Sequence, residues 1–332
     1  MNIDFLSVLI VVVSLIMLAI PGFVLVKTKL ISESSAGAFS TLVLYGCQPV
    51  LVFMSFQEYY TPEIAINILI VAGLSFLIHF IMFGLMALIF PNKNDDRRVR
   101  VVKYASCFSN CGFMGLPFLQ MLFNGTAYQG EIIIYAATII AIFNILNWTV
   151  GVFMITKDKR EVSVKKILFN PTIVAVIIGA LYFFIVQKPV VELAEKGTNL
   201  YNALEKIMGG VNVIGNMVTP LSMTVIGMRL AKINLKQLFM DKWSYVACAF
   251  KLLVMSLVTM LAVSFLPISI AVKYVLFFLL SMPSATSTAL FAVKFGGDGD
   301  SASVYVLLST ALCILTIPLM FLLFSGVFGI VA

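Results

Sequence analysis

The run Ser109-Asn110-Cys111-Gly112-Phe113-Met114-Gly115-Leu116-Pro117 lies inside an apolar stretch from Val101 to Leu122, and Ser281-Met282-Pro283-Ser284-Ala285-Thr286-Ser287-Thr288 lies inside another, from Ile270 to Val293. Stretches of that length cross a hydrocarbon layer of about 30 Å at about 1.5 Å per residue. In lipid a helix must satisfy its own backbone, so a proline beside glycines and polar side chains at mid-depth frees carbonyls that need new partners. One such run is ordinary, because small residues permit close packing and proline kinks a helix. Two runs at matched places read as discontinuous helices around a binding site at the membrane midplane.

Composition agrees with lipid as the solvent. Of 332 residues, 61% are hydrophobic and 11% charged, against roughly 45–50% and about 25% in a soluble domain. The predicted fold is an all-α membrane protein of ten transmembrane helices. The spans are Phe5 to Val26, Gly37 to Phe56, Ile64 to Phe90, Val101 to Leu122, Ile132 to Ile155, Pro171 to Val186, Ile207 to Leu230, Trp243 to Leu266, Ile270 to Val293 and Ala302 to Ile330. Asp4, not a cation, precedes the first, which exceeds a signal-peptide core of about 7–15 residues and is read as a retained helix. Lys188 to Lys206 mixes Lys, Glu and apolar residues and is read as an interfacial helix. Cys47, Cys107, Cys111, Cys248 and Cys313 all fall inside apolar stretches, as small hydrophobes rather than disulfide or metal ligands.

The cations sort by side. On one side lie Lys27 and Lys29, five between Lys93 and Lys103, five between Lys157 and Lys166, four between Arg229 and Lys242, and Lys294; the other side holds Lys188, Lys196, Lys206 and Lys273. The first side is expected to be cytoplasmic, which puts residues 1 and 332 on the non-cytoplasmic face of the cell membrane. The net charge of +7 is explained by this asymmetry; without aromatic interleaving it does not indicate nucleic acid. Pro49 and Pro220 lie 171 residues apart, and Val102-Lys103-Tyr104 returns as Val272-Lys273-Tyr274 after 170. With five spans per half, the second half enters from the opposite face, so an inverted repeat is predicted: residues 1–155, a basic cytoplasmic linker 156–170, and residues 171–332.

An ionisable residue inside a span is a functional candidate, and His79 and Lys251 qualify. Either is a candidate for balancing the charge of an anionic ligand; equally, Lys251 snorkels or binds a helix end, and His79 packs as a hydrogen-bonded residue. No Asp or Glu lies deep in a span, so a carboxylate proton relay is not expected. Gly296-Gly297-Asp298-Gly299-Asp300 lacks the features of a phosphate loop or calcium site and reads as a turn. One histidine without a buried carboxylate or a Cys/His group does not make an intramembrane enzyme, and no cofactor is implied.

The run Ser109 to Pro117, Asn147-Trp148-Thr149-Val150-Gly151, Asn170-Pro171, and Pro283-Ser284-Ala285-Thr286 followed by Gly296-Gly297-Asp298 together resemble the bacterial branch of the auxin efflux carriers, relatives of the plant PIN-FORMED proteins, over nearly the whole chain. The resemblance implies a sodium/proton-antiporter-like fold in which the fourth and ninth spans unwind at their prolines and cross, an elevator-like motion, small organic anions such as auxin, malate or malonate as substrates, and homodimers in the bilayer. It places the substrate carboxylate at Asn110, with Ser109, Cys111, Gly112, Pro117, Ser281, Pro283, Ser284 and Thr286 around the crossing, and Gln48 and Asn144 as polar contacts from the second and fifth spans. The expected function is an anion carrier driven by gradient and membrane potential. A sodium- or proton-coupled dicarboxylate symporter is the alternative, and a channel or a non-transporting sensor the alternative of another class.

Overall fold

The computed structural model describes residues 3–91, 96–231 and 241–327. The first and last residues, Lys93 in the third loop and Lys232 and Lys236 in the seventh lie outside the described residues, as does the end of the tenth predicted span. Among the described residues the chain is helical, without β-strands. The helices are α1 (Phe5–Lys27), α2 (Ser35–Ser55), α3 (Pro62–Ile89), α4 (Arg97–Cys107), α5 (Cys111–Leu122), α6 (Gln129–Thr156), α7 (Pro171–Val186), α8 (Asn199–Leu230), α9 (Lys242–Ser264), α10 (Ile270–Ser281), α11 (Ser287–Lys294) and α12 (Gly299–Val327). Eight of them, α1, α2, α3, α6, α7 with its following turn, α8, α9 and α12, are long and apolar enough to cross a membrane; α5 and α10 are apolar but shorter.

Polar residues at the predicted loops start these helices by binding otherwise unpaired amides. Asp4 accepts from the Ser7 amide, Thr61 from Ile64, Asn170 from Thr172 and Ile173, Thr198 from Tyr201, Asp241 from Trp243, and Ser269 from Val272. Where such a cap meets a proline at the first helical position, as in Asn170-Pro171, the sequence marks the start to the residue. Asp298 caps the first turn of α12 through Ser301 and pairs with Arg98 at 3.0 Å, which ties the glycine-rich turn to the start of α4.

Two expectations are revised. Lys188 to Lys206 is not one interfacial helix: Val190–Leu193 is a single helical turn, and from Asn199 onward the segment belongs to α8. Asn199, Asn202, Glu205, Asn212 and Asn216 recur at helical spacing, a polar stripe continuing into the seventh span. The fourth span also breaks at Phe108–Asn110, well before Pro117, which lies inside α5. Pro117 instead follows a π-helical turn, Cys111–Gly115, in which the Leu116 amide reaches back to Cys111. Similar turns occur at Val43–Cys47, just before Pro49, at Asn147–Gly151, and at Ala249–Val254 around Lys251.

The helices pack as two groups. In one, α1 runs along the second half of α8, and α2 packs between α7 and α8; in the other, α3, α6, α9 and α12 surround the two broken pairs α4/α5 and α10/α11. The first group is held by backbone proximity. A Cβ at Gly22 would stand 2.0 Å from the Thr224 carbonyl oxygen, and one at Gly227 would stand 1.8 Å from that of Ala19. In lipid, close approach of this kind is a main source of helix association. Gly227→Ala is expected to push α1 from α8 and cost about 1–3 kcal/mol, read as a lower melting temperature in detergent; unchanged melting would show that this contact contributes little.

Candidate functional site

Between α4 and α5 the chain is extended over Phe108–Asn110, and between α10 and α11 it is extended around Met282–Pro283. These segments cross antiparallel at Ser109 and Ser284. The Asn110 amide donates to the Pro283 carbonyl at 2.8 Å, and the Ala285 amide donates to the Phe108 carbonyl at 2.9 Å. Backbone groups that unwinding would strand in lipid thus satisfy each other. Pro283 fits because its carbonyl is used and its missing N–H is not needed.

The serines complete the crossing reciprocally. Ser109 Oγ donates to the Leu280 carbonyl at 3.0 Å, near the end of α10, and Ser284 Oγ donates to the Ala105 carbonyl at 2.9 Å, near the end of α4. Lys251, 0% exposed, adds charge-assisted bonds from Nζ to Ser109 Oγ at 2.6 Å and to the Leu280 carbonyl at 2.7 Å. It does not snorkel. The C-terminal ends of half-helices carry partial negative charge, and the ammonium lies at the end of α10.

Several buried polar groups near the breaks remain unpaired among the described residues. Asn110, 3% exposed, has no partner for Nδ2, and Gln48, 2% exposed, has none for Oε1. Gln48 projects from α2 onto Gly112, where a Cβ would be 3.1 Å from its Nε2, so glycine leaves room for the amide. Thr288 Oγ1, in the first turn of α11, and Ser281 Oγ are also buried without partners. The first amides of α5, which follow Asn110 directly, lack intrahelical acceptors, so with Asn110 Nδ2 and the Gln48 carboxamide over Gly112 they make a cluster of polar groups rich in donors at the break in the fourth span. Such a cluster can hold an anion.

The other candidates are distributed around it. Cys111 is buried and Thr286 half-buried, while Pro117 is packed within α5. Asn144 uses Nδ2 on the Ile140 carbonyl and Oδ1 on Asn170, so it joins α6 to the cap of α7 rather than the crossing. His79 holds its Nδ1 2.7 Å from the Ser75 carbonyl and packs against Phe83 and Phe108, with Nε2 unpartnered. Sequence reasoning missed a polar group below the crossing: Tyr104 donates to Asn147 Oδ1 and lies 2.9 Å from Ser287 Oγ, bringing α4, α6 and α11 together. It also missed Thr219, which donates to Gln120 Oε1 at 2.8 Å and links α8 to α5.

A cavity of about 930 Å³ opens beside that link, between the two helix groups. Its walls include Leu51 of α2, Gln120 and Asn124, Glu131 of α6, and Asn212, Asn216 and Thr219 of α8. Leu51 lies one turn from Gln48 along α2.

A sequence model of the membrane transport protein family matches residues 7–165 and 159–321, together almost the whole chain. The chain belongs to this family, that of the auxin efflux carriers. No curated protein matches it. As a membrane transport protein it is a multi-pass membrane protein, and the two matched stretches meet at 159–165, in the basic linker. Membership gives the crossing its significance: Asn110 and Ser281, both buried with an unpartnered polar atom, lie where the helices are interrupted.

Proposed function

We propose that this transporter is a carrier of small organic anions, of the auxin-like or malate/malonate type, that holds the carboxylate at Asn110 and moves it by alternating access. The observation carrying this reading is the division of charge at the crossing. Lys251 is engaged with the carbonyl end of α10 and with Ser109, while Asn110 Nδ2 is buried with no acceptor among the described residues. A carboxylate supplies the missing acceptor, and a neutral donor lets it go again on the other face.

Counting α4/α5 and α10/α11 as one span each gives ten spans, and the reciprocal bonding of Ser109 and Ser284 supports two inverted five-helix halves in a sodium/proton-antiporter-like fold. The group containing the crossing is then the part that moves, elevator-like, against α1, α2, α7 and α8. The charge asymmetry of the loops supports placement in the cell membrane with both chain ends outside. Homodimerisation remains part of the proposal through the family resemblance.

Uniport is the favoured coupling. No Asp or Glu lies deep in a span to hold a coupling cation, and the Phe108, Pro283, Leu280 and Ala105 carbonyls at the crossing each accept from a protein donor. Potential alone is sufficient as a driving force, since one charge moving through 100 mV is worth about 2.3 kcal/mol. In proteoliposomes, uptake of indole-3-acetate, malate or malonate is expected to follow an imposed potential without sodium or pH gradients. Uptake that appeared only with a sodium or proton gradient, at fixed potential, would favour the symporter; no uptake of any organic acid in a broad panel would remove the carrier reading.

A further inference from the structure

Two regions of the molecule carry opposite charge. The cavity beside α8 is lined by Glu58, Glu63 and Glu131, and no Lys, Arg or His is among its described lining residues. Its other polar walls, Asn124, Gln129, Asn212 and Asn216, are neutral. Glu58 is half-buried against Gly130, where a Cβ would be 2.1 Å from its Oε1. Burial pushes the Glu58 carboxyl above the usual carboxylate range.

On the opposite side, in the linker after α6 and at the end of α11, two cations converge on one aromatic patch. Lys166 Nζ lies 5.7 Å from the Trp148 ring and 6.0 Å from that of Phe295; Lys294 Nζ lies 5.8 Å from each. Ring faces attract ammonium groups, but two like charges at one patch still repel. Neither lysine forms an ion pair among the described residues. The patch leads inward by contact: Trp148 touches Phe291 at 4.8 Å between centroids, Phe291 touches Tyr104 at 6.0 Å, and Tyr104 bonds Asn147 beside Ser287 at the head of α11.

Resting on the anion-carrier reading, we infer that the two mouths hold the anion unequally: Lys166 and Lys294 over Trp148 and Phe295 capture an organic carboxylate, and the Glu58, Glu63 and Glu131 vestibule repels it. An apolar acid suits the capture patch, with its ring on the aromatic floor and its carboxylate between the ammonium groups. Detailed balance keeps the ratio of maximal rate to half-saturation equal in the two directions at zero potential, so the fields alter the half-saturation at each face and not the equilibrium. Half-saturation is lower from the lysine face.

The local fields are measurable without transport. Native cysteines are buried, so Ala127→Cys, at an exposed position of the vestibule wall, reports on it alone. A cationic methanethiosulfonate is expected to react faster there than an anionic one, relative to a free thiol, by about fivefold, and Glu58→Gln, Glu63→Gln and Glu131→Gln together to abolish the difference. Burial raises the Glu58 carboxyl above the usual carboxylate range, so lowering the pH neutralises part of the field and shrinks the ratio in the same direction. With Trp243→Phe, Trp148 is the remaining tryptophan; iodide quenching of its fluorescence is expected to fall about twofold in Lys166→Gln with Lys294→Gln, while quenching by neutral acrylamide is unchanged. Equal reactivity of the two reagents, or iodide quenching insensitive to the lysines, overturns the inference. Absence of organic-acid uptake with both fields present would instead count against the carrier reading.

Discussion

Lys251→Met is expected to lower stability and anion affinity together, with the stability loss about 3 kcal/mol. Methionine keeps most of the length of the side chain but donates nothing. The Leu280 carbonyl keeps the Ser109 hydroxyl as a donor, so the loss is one of charge more than of bond number. Half-helix C-termini each carry about half a negative elementary charge, and α4 and α10 both end at the crossing. One buried ammonium offsets about that sum. Without it the ends repel each other and also repel a carboxylate held at Asn110. Removing the desolvation cost of the ammonium recovers part of the loss, which sets the net value below a full unpaired charge. The check is thermal unfolding in detergent with a ligand titration on the same samples. A variant that melted like the native protein would mean that the helix ends need no counter-charge.

The spans were legible because lipid admits few alternatives: apolar length and the caps around it define a helix almost without tertiary information. Pro171–Val186 is recovered to the residue, since Asn170 and Pro171 encode its start locally. The break in the fourth span was not legible in this way. Proline attracts attention to position 117, yet the chain unwinds at Phe108–Asn110 because Pro283 and Ala285 are there to take its hydrogen bonds, and those partners are 170 residues away. Ser109 and Ser284 show the same limit. A hydroxyl at membrane depth reads identically whether it serves a ligand or a stranded carbonyl, and here both serve carbonyls. Lys251 was ambiguous for the same reason, since nothing in α9 states which helix end lies opposite. Tyr104, Asn147 and Ser287 carried a weak signal, polar groups on three spans at similar depth, that only the packing could join. The polar stripe from Asn199 to Asn216 was visible in the sequence, and its helical spacing identifies the extension of α8.

Asn110→Ala is expected to separate binding from stability. In the free protein Nδ2 is buried without an acceptor, and such a group costs about 1–3 kcal/mol. Truncation removes that cost and a small amount of packing, so the melting temperature should hold or rise slightly. The backbone bonds that make the crossing, from the Asn110 amide to Pro283 and from Met114 and Gly115 to the Asn110 carbonyl, do not involve the side chain and survive. Binding should behave oppositely. A hydrogen bond to a charged acceptor is worth about 1.5–3 kcal/mol, so affinity for a transported carboxylate should fall roughly tenfold to a hundredfold. The stabilisation that ligand confers at a fixed concentration then falls with it, and a thermal shift measured with and without ligand reads both effects in one experiment. This pattern differs from that of Lys251→Met, where stability and affinity fall together. Asn110→Asp sharpens the test, because a carboxylate at the same position keeps the volume and opposes an anion directly, and should abolish binding. Undiminished affinity in both Asn110 variants would move the carboxylate away from the crossing, leaving Asn110 a buried polar residue without a ligand.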